Sequence, residues 1–356
     1  MYDHLIAYLN NLYAVDGHTL FTRNGVAYPV VVFPPDEAQT DDVNSVLGHV
    51  MADTFIPRET FAIYDEEYLD TMRRAGRRLT NGITYVYTHI DSAPLKIHAQ
   101  VGRYFDMIMT SDVLSHELKT LFANGAAHNA VVVPRRSRLH RVVTPVEAMH
   151  TGHGRSSAIG GIVLTVFNHD GQYKAILARR STSAGIDAGL YHVQPAFMFQ
   201  PVGDNPHDAA HWNLVQHIYR EYLEELFGMS EADGAGDFSS HPMLRDLQAM
   251  RDDGRASLHL TGIALNLLSL RPDICTLLLI RDPEWYTRVS GGEYGLFGRA
   301  MRRDVWETDG ETVTFAPIDS DAALLGALPG EPHRIFTPPG AAAMWLGVDR
   351  ARTLLT

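Results

Sequence analysis

A single cysteine, Cys275, is present in 356 residues, so no intrachain disulfide can form. Its place in the apolar run at 274–280 marks it as a buried structural thiol. No apolar run approaches the roughly 20 residues that a membrane-spanning helix needs. The stretch 1–20 mixes Asp3, His4, Asn10, Asn11 and Asp16 with apolar residues. It lacks the basic start and unbroken apolar stretch of a signal peptide. Together these absences lead us to expect a cytoplasmic protein with no membrane role. Positive charge is also scarce. Lys and Arg number 30 against 42 Asp and Glu, a formal net charge of −12, so a nucleic-acid partner is not expected. The chain has 18 histidines, yet no H-E-x-x-H or C-x-x-C spacing, so nothing supports a zinc site. No internal repeat or low-complexity segment is present.

What is there suits two domains. The stretch 134–157, PRRSRLHRVVTPVEAMHTGHGRSS, is basic, holds prolines and glycines, and has little apolar period. It reads as a solvated linker, with Arg135, Arg136, Arg138, His140 and Arg141 facing water rather than forming a phosphate patch. We therefore expect an N-terminal α+β domain at 1–145 and a second domain at 155–356, in an α/β (α+β) chain.

In the first half, residues 28–33 (YPVVVF) and 82–89 (GITYVYTH) read as strands. Residues 41–51 and 59–74 have helical spacing, and 104–122 reads as a helix broken near Ser111-Asp112. The triplet Asp65, Glu66, Glu67 marks a helix start, where acidic groups meet the positive end of the dipole. No chemical motif appears in this half.

The second half opens with two strands, 158–167 and 173–179, joined by the turn NHDG as a hairpin. A Gly-rich loop at 183–189 and a third strand at 191–199 follow. A helix is then expected from Asp208 as N-cap to Gly228 as stop. Val215, Ile218, Tyr219, Tyr222 and Leu226 recur on one face of it. At about 100° per residue, Glu221, Glu224 and Glu225 fall on a neighbouring face, one turn apart. Clustered carboxylates repel each other, and a hard divalent cation such as Mg2+ or Mn2+ reverses that sign. Such an ion can bridge to a phosphate oxygen and activate water. Arg220 can orient a carboxylate by a charge-assisted hydrogen bond.

The stretch Arg220–Gly228, REYLEELFG, resembles the second half of the Nudix box, G-x5-E-x7-R-E-U-x-E-E-x-G-U. The resemblance implies a mixed sheet sandwiched between helices. It also implies hydrolysis of a nucleoside diphosphate linked to another moiety. By resemblance, Glu221, Glu224 and Glu225 bind Mg2+ or Mn2+, Glu224 and Glu225 serve catalysis, and Arg220 orients them. The hairpin at 158–180 and the segment 311–325 are similar to the family's opening hairpin and late strand with its helix. The chain departs from the box in its first half. Trp212 stands where the first Glu belongs and Pro206 where the leading Gly belongs. Pro195-Ala196-Phe197 replaces the P-G-G turn, and one extra residue precedes Gly228.

Acids that could complete the metal site are Glu307, Glu311, Asp282 and Glu284, of which Glu311 fits the family position best. Arg179 and Arg180 could grip phosphate. Phe197 or Trp212 could stack on a base. The expected partner is a small nucleotide or diphosphate, and oligomeric state is left open. The main expectation is an Mg2+- or Mn2+-dependent hydrolase. The alternative is a nucleotide-binding sensor on the same scaffold, without catalysis.

Overall fold

A computed structural model describes residues 2–77, 79–127, 131–180, 189–201, 208–229, 238–290, 312–330 and 335–356. In chain order, a short ribbon of β1 (Thr22–Arg23) and β2 (Val26–Ala27) precedes β3 (Val30–Phe33). Next come β4 (Leu47–Phe55), β5 (Ile83–Ser92) and β6 (Leu95–Arg103), which form a three-stranded sheet in the order β4-β6-β5. The second half supplies β7 (Gly160–His169), β8 (Gln172–Arg179), β9 (Tyr191–Val193) and β10 (Ala196–Met198). It ends with β11 (Ala256–Asn266), β12 (Arg271–Ile280) and β13 (Thr312–Pro317). Among the described residues the main sheet has eight strands in the order β13-β8-β7-β12-β11-β3, with β9 beside β8 and β10 beside β7. It is mixed: β7 and β12 run parallel, and the remaining pairs are antiparallel.

The central strands are nearly continuous apolar runs because both of their faces are covered. In β7, Ile162, Leu164 and Val166 pack in one cluster, and Val163 and Phe167 in the other. In β12, Cys275, Leu277 and Leu279 separate in the same way from Ile274, Leu278 and Ile280. This is the two-residue alternation of a strand read directly as two cores. Each fully buried side chain of this size contributes about 1.5–3 kcal/mol. The C-terminal helix, Pro338–Leu355, covers one face with Ala341, Ala342, Met344, Trp345 and Val348. The helix Leu214–Glu221 covers the other with Leu214, Ile218 and Tyr219. Cys275 is buried as expected, and burial pushes its thiol well above the usual range. Among the described residues, no helix is long and apolar enough to cross a membrane.

The two halves share this framework. β3 adds to the edge of the main sheet by pairing with β11. The basic stretch after residue 133 is not a solvated linker. It forms two short helices, Pro134–Leu139 and Pro145–His150. Arg136 is fully buried and donates to Tyr13 Oη and to the carbonyls of Leu267 and Leu268. Arg155, also buried, donates to Tyr87 Oη and to the carbonyl of Ala148. These two guanidiniums meet main-chain carbonyls, which is why Arg136 and Arg155 sit inside the protein while Arg138 and Arg141 face water as expected.

Other local expectations shift for identifiable reasons. Residues 41–51 are not a helix. Asp42 caps a single 3-10 turn, Val43–Val46, and the chain then enters β4 beside β6. The helix expected from residue 59 starts only at Glu66, with Asp65 as its N-cap accepting from Tyr68 N. The break expected near Ser111-Asp112 is a π-helical turn, Ile108–Asp112, and Asp112 there accepts from Arg271 instead of capping.

Candidate active site

The carboxylate helix starts later than its sequence suggests. Asp208 accepts from Ala210 N and starts only the 3-10 turn Ala209–His211. The helix Leu214–Glu221 takes Asn213 as its N-cap, which accepts from Gln216 N at 3.1 Å. Asn44, from the first half, completes the cap. Its Oδ1 accepts from Leu214 N at 2.8 Å and Val215 N at 3.3 Å, and its Nδ2 donates to Asn213 Oδ1. The unpaired N–H groups of a helix start are thus met by a residue from a distant part of the chain. No sequence pattern marked Asn44.

Beyond Glu221 the helix widens into a π-helical turn, Tyr222–Leu226. A π turn closes on the fifth residue, so Glu224 and Glu225 fall back around the axis relative to an α-helical step. Gly228 ends the helix at φ 66°, where Gly228 N reaches Glu224 O and Met229 N reaches Leu223 O. The stop was legible because only glycine takes that conformation without strain.

Arg220 and Glu221 are nearly buried, 7% and 8% exposed. Arg220 Nη2 donates to Glu221 Oε1 at 2.8 Å. Its Nε lies 3.7 Å from Glu224 Oε1, an ion pair without a hydrogen bond. Glu225 Oε2 accepts from Ala196 N at 3.0 Å, which ties the helix to the start of β10. The structure therefore gathers Glu221 and Glu224 around one guanidinium and holds Glu225 toward the sheet. Among the described residues, no three His, Cys, Asp or Glu side chains are grouped as a metal cage.

His217 precedes this cluster by one turn. Its Nε2 donates to the carbonyl of His211 at 3.2 Å. Burial, reinforced by the charge of Arg220, lowers its pKa to about 3, so the ring is neutral. It lies edge-on to Phe199 at 4.4 Å and nearly parallel to Phe197 at 6.1 Å. Phe197 fits there because residue 161 is glycine. A Cβ at Gly161 would stand 2.3 Å from the Phe197 ring.

The remaining expected site residues separate. Trp212 stacks on Phe199 at 4.8 Å and donates from Nε1 to Gly48 O, so it is engaged in the core. Arg179 donates to Gly189 O, and strand alternation puts it on the face of Ala175 and Leu177, away from the carboxylate helix. Arg180 has a buried Nε with no hydrogen-bond partner among the described residues. Asp282 is bound by Arg255 and Arg288, and it accepts from Glu284 N. Glu307 and Glu311 lie outside the described residues. Set against models of known protein families the chain matches none, and no curated protein sequence matches it.

Proposed function

We propose that this chain is an Mg2+- or Mn2+-dependent hydrolase of Nudix type, acting in the cytoplasm on a phosphoanhydride of a nucleoside diphosphate derivative or a related phosphorylated metabolite. The observation that carries the reading is Arg220, nearly buried and set between Glu221 and Glu224 on a helix packed over a mixed sheet. The donors are carboxylate oxygens, the chemistry that hard divalent ions take. Glu221, Glu224 and Glu225 would hold the ion, with Glu311 as a further ligand. A bound ion supplies charge neutralisation at phosphate oxygens and a more acidic water.

The chain's own residues account for the rest. Arg220 fixes the rotamer of Glu221 and keeps Glu224 on the same side. The Ala196 N–H donates to Glu225 Oε2 and so fixes the orientation of that carboxylate toward the sheet. The Phe197 ring beside His217 offers an apolar wall for the organic part of the substrate, and Arg180 offers charge for a terminal phosphate.

Isothermal titration with Mn2+ tests the assignment. The wild-type protein is expected to bind, and the triple variant Glu221→Gln, Glu224→Gln, Glu225→Gln to lose that binding. A phosphate-release screen over nucleoside diphosphate compounds then finds the substrate, and Glu224→Gln is expected to abolish turnover with the fold intact. If neither protein binds Mn2+, even with a non-hydrolysable nucleotide present, the assignment is wrong.

One observation favours a second reading, a nucleotide sensor without catalysis. Where the family's box has its first Glu, this chain has Trp212 locked in an aromatic stack. Nucleotide affinity with no turnover in the presence of Mn2+ would select it.

A further inference from the structure

A cleft of about 690 Å3 opens at the edge of β11, where β3 no longer pairs with it. Its lining includes Tyr219, Arg251 and Leu354 together with Asp41, Ser257 and His259. The volume is that of a small-molecule site. Ser257 and His259 are two apart on one strand, so their side chains leave the same face. His259 Nε2 lies 2.8 Å from Ser257 Oγ, and its Nδ1 lies 2.7 Å from Asp41 Oδ1.

The surrounding donors fix the protons. Arg281 Nη1 donates to Ser257 Oγ at 2.9 Å, which leaves the hydroxyl hydrogen to point at His259 Nε2. The Asp41 carboxylate only accepts, so His259 carries its proton on Nδ1. Burial holds His259 below the usual histidine range, in the neutral form a base needs. Asp41 is held in turn from the loop behind it. Thr40 O accepts from Leu260 N at 2.8 Å, and Arg350 of the C-terminal helix donates to Thr40 Oγ1 at 3.0 Å and reaches Asp41 Oδ1 at 3.4 Å.

From this geometry we infer that Ser257, His259 and Asp41 form a nucleophile, base and orienting acid for acyl transfer from small carboxylic esters or comparably activated acyl groups. Ser257 Oγ attacks the acyl carbon and gives its proton to His259 Nε2. The bond from the acyl carbon to the leaving oxygen breaks, and that oxygen takes the proton from His259. Water then attacks the acyl-serine, His259 accepts its proton, and the acid leaves as Ser257 Oγ regains a hydrogen. Arg281 places positive charge beside the reacting oxygen throughout. Asp41 and Arg350 are positioning residues.

The full chain is treated with a fluorophosphonate probe under chelation, so that the carboxylate helix plays no part, and the adduct is mapped by peptide mass spectrometry. Ser257 Oγ displaces fluoride, so the expected adduct sits on Ser257 and is absent in Ser257→Ala. His259→Gln is expected to slow labelling on the order of 100-fold or more. Hydrolysis of p-nitrophenyl acetate should fall in parallel. Asp41 is largely solvent-exposed, so Asp41→Asn leaves the fold intact and is expected to slow labelling about tenfold or more, with Asp41→Glu restoring most of the rate. A wild-type protein that stays unlabelled at Ser257 beside a reactive serine-hydrolase control would overturn the inference. Equal labelling of the wild type and a folded His259→Gln variant would overturn it too.

Discussion

The indole of Trp212 lies flat on the ring of Phe199, with centroids 4.8 Å apart and planes 11° from parallel. Tyr85 meets the same indole edge-on at 4.9 Å, and Trp212 Nε1 donates to Gly48 O. Trp212→Ala removes a stack and a hydrogen bond from a half-buried site, so urea unfolding should show a loss of about 2–4 kcal/mol. Trp212→Glu puts a carboxylate where the Nudix box has one, but into an aromatic cage. It should lose at least as much stability and gain no Mn2+ affinity. Tighter Mn2+ binding by that variant would mean that the position still faces the ion.

Arg136 reaches Tyr13 and the carbonyls of Leu267 and Leu268 from complete burial. Arg136→Met keeps the apolar stem and strands those acceptors. The expected cost is about 3 kcal/mol or more, since hydrogen bonds to a charged group are worth about 1.5–3 kcal/mol each. Arg136→Lys should recover only part, because one ammonium cannot span the same fork. Chemical denaturation of the three proteins measures it. An unchanged midpoint in Arg136→Met would show that the Arg136 hydrogen bonds to Tyr13, Leu267 and Leu268 do not help to hold the two halves together.

These two residues also show where sequence reading stops. The strands at 160–169 and 172–179 and the stop at Gly228 were legible, because alternation and a left-handed glycine are local properties. The row Arg220, Glu221, Glu224 was legible for the same reason. Arg136 was misread because composition alone does not tell a solvated guanidinium from one that meets buried carbonyls. The helix start moved from Asp208 to Asn213 because Asn44, far away in the chain, supplies part of the cap. Ser257, His259 and Asp41 likewise meet only in three dimensions, since the strand Ala256–Asn266 was not read from the sequence and Asp41 lies far from it in the chain.

Arg220 gives a test of the carboxylate site that does not depend on knowing the substrate. Arg220→Ala leaves Glu221 nearly buried without its guanidinium, and breaking such a pair costs about 3–5 kcal/mol. On the proposed reading, a divalent ion held by Glu221 and Glu224 would replace the missing positive charge. Mn2+ should therefore raise the Tm of Arg220→Ala by more than it raises that of the wild type. Equal Mn2+-induced shifts in both proteins would leave the carboxylates as a structural ion-pair cluster.

Acid should weaken the fold in two separate windows. Burial lowers His217 to about 3 and His140 to about 4, against an ordinary value near 6.5. Between those values and 6.5 the unfolded chain binds protons that the folded chain does not. Stability therefore rises with pH through that window and falls as pH drops below about 6.5. At pH 4.5 each of these histidines should cost about 2–3 kcal/mol relative to pH 7. Asp321 acts later. Arg23, with Arg352 and Asn24, holds its carboxyl far below the usual range, so its stabilisation persists above about 4 and is lost only at lower pH. Urea midpoints followed from pH 7 down to about pH 2 separate the two effects. His217→Phe should remove about half of the slope in the upper window, His140 supplying the rest, and leave the lower one unchanged. If the slope above pH 4.5 is the same in that variant, His217 takes up its proton in the folded protein and is not held neutral beside Arg220.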